Sequence, residues 1–220
     1  MHVNTAASPF AGLWDVTHAT LPNGEFAYSG QIRIEPQAAI FQLTWDISAG
    51  HYVGIGLIHG DHLVVSCGEQ YAGLGIIQFT TAAEAPPSIQ WASAELGGVL
   101  GTGIFTTPWA GTLEGQHQLV QYLPNGQIYG EWTLSIQRID DIYRLMWSKG
   151  ESIHFRGIGL ATSQGLAAGW YPDMSQIAFL DYRIDADNPN QLQAVWALGS
   201  FTTLGTETLI RLIKFDNQHR

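Results

Sequence analysis

The chain is poor in charge, in basic residues and in cysteine. Charged residues make up 13% of it, against roughly 25% in an average globular protein. Nine basic residues stand against nineteen acidic ones, and the formal charge of −10 repels both nucleic acid and anionic lipid surfaces. The single cysteine, Cys67, excludes an internal disulfide framework and a multi-cysteine metal site. We therefore expect neither nucleic acid nor a membrane as a partner.

Long apolar runs and known catalytic motifs are missing as well. No run approaches the roughly 18 apolar residues of a membrane span, and the start of the chain lacks the pattern of a signal peptide. These absences predict a cytoplasmic protein. The sequence contains no GxSxG, HExxH, CxxC or phosphate-binding loop. We therefore expect no cofactor and no resident metal ion.

An internal duplication organises what is present. The tetrad Leu21–Gly24 (LPNG) recurs as Leu123–Gly126, and the apolar pattern of 32–45 recurs at the same offset. The sequence therefore predicts two β repeats, the first over 1–107 and the second over 108–220.

Each repeat has the pattern of an all-β unit. From Phe26 to Ile34 the even positions are mostly apolar and the odd ones are small or polar, the alternation of a half-buried strand. About eight such segments, separated by turn signals, occur in each repeat, and eight strands with short turns suggest a closed barrel. We predict two tandem eight-stranded antiparallel meander barrels, or one pseudo-symmetric barrel or sandwich body.

Two short features resemble a known class of barrels. Gly12-Leu13-Trp14 near the start, with Arg211 near the end, resembles the GxW motif and the closing arginine of lipocalin- and avidin-like (calycin) proteins. The second repeat departs from it, with Gly111-Thr112-Leu113 where GxW should recur. The resemblance implies a barrel whose mouth binds small, mostly apolar molecules.

Histidines at matching positions are candidate catalytic residues. His51 and His154 begin the matching segments HYVGIGL and HFRGIGL, and neutral imidazole can carry a proton near physiological pH. A hydrogen-bonded histidine at a strand end is the alternative. His59, Asp61 and His62 lie on a turn of the first repeat alone, where a solvated turn competes with an acid–base pair or metal ligands.

Two differences between the repeats point to an interior site. Cys67 stands where the second repeat has Trp170, so the first repeat should keep more open volume, and we place a ligand cavity there. Glu207 replaces Gly103 at same-face spacing from Arg211. A buried carboxylate there could act as a general acid or base, and a structural ion pair with Arg211 is the alternative.

Aromatic residues are core candidates first and cavity-lining candidates second. The expected ligand-binding residues, besides Cys67, are Trp45, Trp147, Trp170, Tyr143, Phe41 and Trp196. The first functional hypothesis is a binding protein for a hydrophobic or aromatic small molecule. A cofactor-independent cyclase or isomerase and a structural or protein-interaction module remain open.

Overall fold

The computed structural model describes residues 8–82 and 84–213, which form sixteen strands and two short 3₁₀ helices. The predicted all-β fold with two closed eight-stranded antiparallel barrels is confirmed. The 3₁₀ helices are Ala94–Leu96 and Met174–Gln176. The strands are Gly12–Thr20 (β1), Gly30–Gln37 (β2), Ile40–Ile47 (β3), Gly50–His59 (β4), His62–Gly68 (β5), Gly75–Thr80 (β6), Ser88–Ser93 (β7), Gly101–Phe105 (β8), Gly115–Tyr122 (β9), Ile128–Ile139 (β10), Ile142–Lys149 (β11), Ser152–Thr162 (β12), Gly165–Tyr171 (β13), Ala178–Ile184 (β14), Gln191–Leu198 (β15) and Gly205–Ile213 (β16).

The two repeats exchange strands. Barrel 1 consists of β1–β5 and β14–β16, and barrel 2 consists of β6–β13. The last three strands of each repeat therefore complete the barrel begun by the other repeat. Barrel 1 closes where β1 pairs with β16 and β5 with β14, and barrel 2 closes through the equivalent pairs, β9 with β8 and β13 with β6. Closure leaves neither barrel with an open sheet edge.

Three apolar clusters hold the body together. One fills barrel 1 around Trp14, and one fills barrel 2 around Trp91. The third lies between the barrels and includes Val64 and Ile158. Every residue of β5 is buried, because this strand presents one face to the interior of barrel 1 and the other to the interface. A strand covered on both faces reads as a continuous apolar run, which explains Leu63-Val64-Val65.

Glycines allow strands and rings to approach closely. The sequence suggests bulges or close backbone approach at Gly54 and at its repeat equivalent, Gly157. Close approach is what the structure shows: a Cβ on Gly54 would lie 2.8 Å from the Trp45 ring, and one on Gly157 would lie 2.9 Å from the Trp147 ring.

Arg211 closes one end of barrel 1. Its guanidinium carbon lies 4.0 Å from the centroid of the Trp14 ring, and its nitrogens donate to the carbonyl oxygens of Ala11 and Pro9. Arg211 therefore serves the barrel end, and its hydrogen bonds go to backbone carbonyls and not to Glu207.

Replacing Arg211 by Met is expected to lower the free energy of unfolding by about 2–4 kcal/mol, because it removes two charged hydrogen bonds and a cation–π contact. Urea unfolding followed by tryptophan fluorescence measures this loss. Arg156→Met, at an exposed position of β12, is the control and should stay within about 0.5 kcal/mol of the parent protein. An equal loss of unfolding free energy in the two variants would contradict the role of Arg211 in closing the end of barrel 1.

Among residues 8–82 and 84–213, no helix is long and apolar enough to cross a membrane.

Candidate functional site

Barrel 1 contains a cavity of about 210 Å³ at the end opposite Arg211. Its walls are mainly apolar and aromatic, and its mouth lies beside the loop that follows β1 and the turn between β3 and β4. Lining side chains include Tyr28, Trp45, Tyr52, Cys67, Leu180 and Trp196. Three of the predicted ligand-binding residues, Trp45, Cys67 and Trp196, therefore meet at one cavity.

A buried acid lies next to this cavity. The hydroxyl of Tyr28, which lines the cavity, donates to Oε2 of Glu207 at 2.7 Å. Glu207 is only 2% exposed, and its burial raises the pKa of its carboxyl group above the ordinary value. Burial, and next the charge of Glu207, raise the pKa of Tyr28. The pair therefore keeps its protons at a pH where an exposed glutamate would have lost one.

Two atoms of this cluster make no hydrogen bond of good geometry to the described residues. They are Oε1 of Glu207 and the hydroxyl of Tyr182, both buried in barrel 1. The two groups face each other: burial, the charge of Glu207 and a weak hydrogen bond to its carboxyl group raise the pKa of Tyr182. A buried polar group that is poorly hydrogen-bonded is costly. Such groups are rare in native structures and mark places that deserve a functional explanation.

Barrel 2 lacks the polar cluster. Glu207 corresponds to Gly103, where a Cβ would already meet Ile89 at 2.8 Å. Leu63 and Leu166 are equivalent positions of the two repeats. Tyr182 pairs with Leu63 and Phe79 pairs with Leu166, so Tyr182 and Phe79 are equivalent as well. The replacements of the polar cluster are therefore Gly130 for Tyr28, Phe79 for Tyr182 and Gly103 for Glu207.

Barrel 2 is also filled where barrel 1 is open. Trp170, the equivalent of Cys67, lies 5.6 Å from Trp147 and 6.3 Å from Trp91 between ring centroids. It fits because Gly75 lies opposite: a Cβ there would be 1.8 Å from the indole. The open volume beside Cys67 thus matches the expectation drawn from comparing the repeats.

The other predicted ligand-binding aromatics do not line the cavity of barrel 1. Phe41 is buried in the core of barrel 1. Trp147 and Trp170 belong to the core of barrel 2. Tyr143 is half-buried, and its hydroxyl lies 3.5 Å from Glu114.

His51 and His154, the candidate catalytic histidines, do not point into a barrel. Both are exposed, and Nδ1 of His51 lies 2.8 Å from Oδ1 of Asp46. His51 shares a strand face with Ile55, and this is the outer face of barrel 1, which packs against barrel 2. An apolar outer face looks in the sequence like an inner one. Neither histidine belongs to the cavity.

His59 and His62 are buried beside an exposed turn that contains Asp61. The two histidines are each 2% exposed, and burial, followed by the charge of His62, lowers the pKa of His59 to about 4. Within 8–82 and 84–213, no three His, Cys, Asp or Glu side chains are grouped as metal ligands would be.

Tyr28 and Tyr182 are not among the site residues predicted from the sequence. Tyr28 lies in the alternating segment 26–34 and faces Gly130 in the repeat alignment, so the loss of a large polar side chain between repeats was visible there. Tyr182 gave a weaker signal, because its equivalent in the other repeat, Phe79, differs from it only by the hydroxyl group.

Glu207 should make stability depend on pH. The folded protein holds the Glu207 proton to a higher pH than the unfolded chain does, so the free energy of unfolding should fall as pH rises above the ordinary pKa of 4.5. Below that value both states are protonated and the contribution is constant. Glu207→Gln should remove the contribution of Glu207, so that the free energy of unfolding falls less steeply with pH in urea titrations between pH 4 and 9. The exposed control Glu131→Gln should run parallel to the parent protein, and an unchanged slope in Glu207→Gln would contradict the assignment.

Searches with the chain found no matching protein-family model, no matching curated protein and no matching solved structure.

Proposed function

We propose that the protein binds a small hydrophobic or aromatic molecule in the cavity of barrel 1. One observation carries the proposal: barrel 1 has an aromatic-lined cavity of about 210 Å³ at Cys67, whereas Trp170 fills the equivalent place in barrel 2. Two barrels built from the same repeat would not need to differ at the centre for stability alone. The calycin-like features, Trp14 with Arg211, support the same proposal, since the resemblance implies a ligand at a barrel mouth.

The cavity limits the size of the ligand. An engineered apolar cavity of about 150 Å³ holds one benzene molecule, and common drug-sized sites begin at about 300 Å³. A cavity of about 210 Å³ therefore suits a compound of one or two rings. Trp45 and Trp196 supply flat apolar surfaces for such rings.

The polar groups limit the chemistry of the ligand. Burial of Glu207 disfavours charge near the cavity, so an uncharged compound is expected. Tyr28 already donates its proton to Glu207, which leaves the phenol oxygen free to accept. The best ligand therefore carries one hydroxyl or N–H group on an apolar ring, and a phenol or naphthol is the simplest example.

Isothermal titration of the full chain with 1-naphthol tests the proposal, with naphthalene as the matched compound that lacks the donor. We expect saturable binding at one site and weaker binding of naphthalene. Native mass spectrometry of protein purified gently from its own host should also reveal a compound of this class. An empty protein that binds neither probe would favour the interaction module instead.

The Tyr28–Glu207 pair favours catalysis as a second candidate function. A protonated acid beside an apolar cavity is the arrangement of a general acid, and positioning of a folded substrate could supply the remaining rate enhancement of a cyclase or isomerase. The test is to incubate the co-purified compound with the protein and to follow its isomers by chromatography. Conversion that Glu207→Gln abolishes while binding persists would identify an enzyme, and unchanged compound would identify a carrier.

The proposal keeps the remaining expectations from the sequence. It includes no cofactor, no nucleic acid and no membrane partner, in keeping with the formal charge of −10. It places the protein in the cytoplasm, where a single unpaired cysteine is ordinary.

A further inference from the structure

Two equivalent hairpin turns meet between the barrels, remote from the cavity lining. His59 and His62 flank the turn joining β4 and β5, and Thr162 and Ser163 lie at the start of the turn joining β12 and β13. Oγ1 of Thr162 lies 3.1 Å from Nδ1 of His59. The exchange of strands between the repeats thus brings side chains of both repeats into one polar cluster.

Three residues of this cluster stand in the order serine, histidine, aspartate. Oγ of Ser163 lies 3.4 Å from Nε2 of His62, and Nδ1 of His62 lies 2.6 Å from Oδ1 of Asp181. Asp181 belongs to β14, which pairs with β5 to close barrel 1. Nε2 of His62 therefore faces the serine and Nδ1 faces the aspartate. This geometry identifies a nucleophile–base–acid triad on any fold.

The three residues differ in solvent exposure as a nucleophile, its base and an orienting acid require. His62 and Asp181 are each 2% exposed, while Ser163 lies in an exposed turn. A reactant can reach the serine, and the base and its orienting acid are shielded from water. Burial raises the pKa of Asp181, and its hydrogen bond to His62 and the charge of Arg183 oppose that rise.

Two further charged groups touch His62. Oδ1 of Asp61 lies 3.2 Å from Nε2, and Asp61 is 84% exposed. Nε of Arg183 lies 3.2 Å from Nδ1, and Nη2 of the same residue lies 3.7 Å from Oδ2 of Asp181. A His62 proton on Nδ1, donated to Asp181, leaves Nε2 free to accept from Ser163. Asp61 competes with Ser163 for Nε2. Nε of Arg183 donates toward Nδ1 in the structure, so the triad requires this guanidinium group to turn to the carboxylate of Asp181, whose ionised form it then supports.

We propose that Ser163, His62 and Asp181 form a hydrolytic site for small uncharged carboxylic esters. Oγ of Ser163 bonds to the ester carbonyl carbon while its proton passes to Nε2 of His62, and the same proton then leaves with the alcohol as the ester C–O bond breaks. A water molecule, losing a proton to Nε2, attacks the acyl-serine, and the serine regains its proton as the acid departs. The negative charge of nearby Asp61 disfavours anionic esters.

A fluorophosphonate probe tests this site on the full chain without a known substrate. The probe forms an O–P bond with an activated serine and releases fluoride, while the serine proton goes to the base. Intact mass spectrometry should show a single adduct at neutral pH, and peptide mapping should place it on Ser163. We expect Ser163→Ala to abolish labelling and Asp181→Asn to slow it about 100-fold or more. Ser200→Ala, in another exposed turn, should label like the parent protein.

Asp61→Ala separates a triad from a merely structural cluster. This exposed substitution removes the competitor for Nε2, so labelling of Ser163 should become at least about two-fold faster, because the base is freed for the serine. A structural hydrogen-bond cluster predicts no labelling in either protein. Absence of an adduct on Ser163, or labelling no faster than at Ser200, would overturn the proposal. The cavity proposal would be unaffected, because its readout is naphthol binding.

Discussion

Binding of 1-naphthol is expected to fall about 100-fold or more when Cys67 is replaced by Trp and Ala178 by Gly in the same chain, because the indole then fills the space that an apolar ligand needs. The two substitutions belong together. Trp170 of barrel 2 fits only because Gly75 lies opposite, and Ala178 occupies that place opposite Cys67. The double variant thus gives barrel 1 the same tryptophan–glycine pair that fills barrel 2.

Titration calorimetry measures the loss of binding, and thermal unfolding shows whether the double variant stays folded. We expect its stability to match or exceed that of the parent protein, because the cavity is filled. Cys67→Ala is the matched control at the same position: it enlarges the cavity slightly and should keep naphthol binding within about three-fold. Full binding by a folded double variant would show that the ligand site lies elsewhere.

Opening barrel 2 is expected to destabilise the protein strongly. Trp170→Cys removes an indole packed among Trp91, Trp147 and Phe155. Burial of large aromatic side chains contributes about 3–5 kcal/mol in such truncations, since lost contacts and a residual cavity add together. Urea unfolding should show a loss of that size.

The control for this loss is Cys67→Ala, which removes a side chain that already borders open space and should cost only about 1 kcal/mol. If Trp170→Cys cost no more than this control, the interior of barrel 2 would be as loosely packed as that of barrel 1. The contrast between the barrels, on which the binding proposal rests, would then disappear.

The sequence predicted Cys67 and Glu207 of the candidate site correctly as interior residues, and it was wrong about His51 and His154. Cys67 and Glu207 stood out because each differs sharply from its repeat partner, and a change of size or polarity at an interior position requires open or polar space around it. His51 and His154 failed because alternation identifies two faces of a strand without saying which is inside. Here both faces of β4 are apolar, one toward the barrel interior and one toward the other barrel.

The sequence indicated only part of the cluster formed by Ser163, His62 and Asp181. His59, Asp61 and His62 were recognised as a group, and Asp181 is an acid on an alternating strand. Ser163 gave no signal, because it lies in the other repeat and meets His62 only where the two turns touch. Proximity of residues so distant in the chain depends on the strand pairing, which local patterns do not report.

The sequence by itself determined that the protein is all-β, duplicated and built of eight-stranded units, because alternation, turn residues and self-similarity are local properties of the chain. It also singled out Cys67 and Glu207 as an interior thiol and an interior acid that replace tryptophan and glycine of the other repeat, but it placed them in different repeats, and their meeting in barrel 1 depends on the strand exchange. Only the tertiary structure decided that β6–β8 and β14–β16 change places between the barrels. The physical reason is that equivalent strands of the two repeats carry the same apolar pattern, so the pattern specifies a partner type and leaves the choice of repeat to the packing of the whole body.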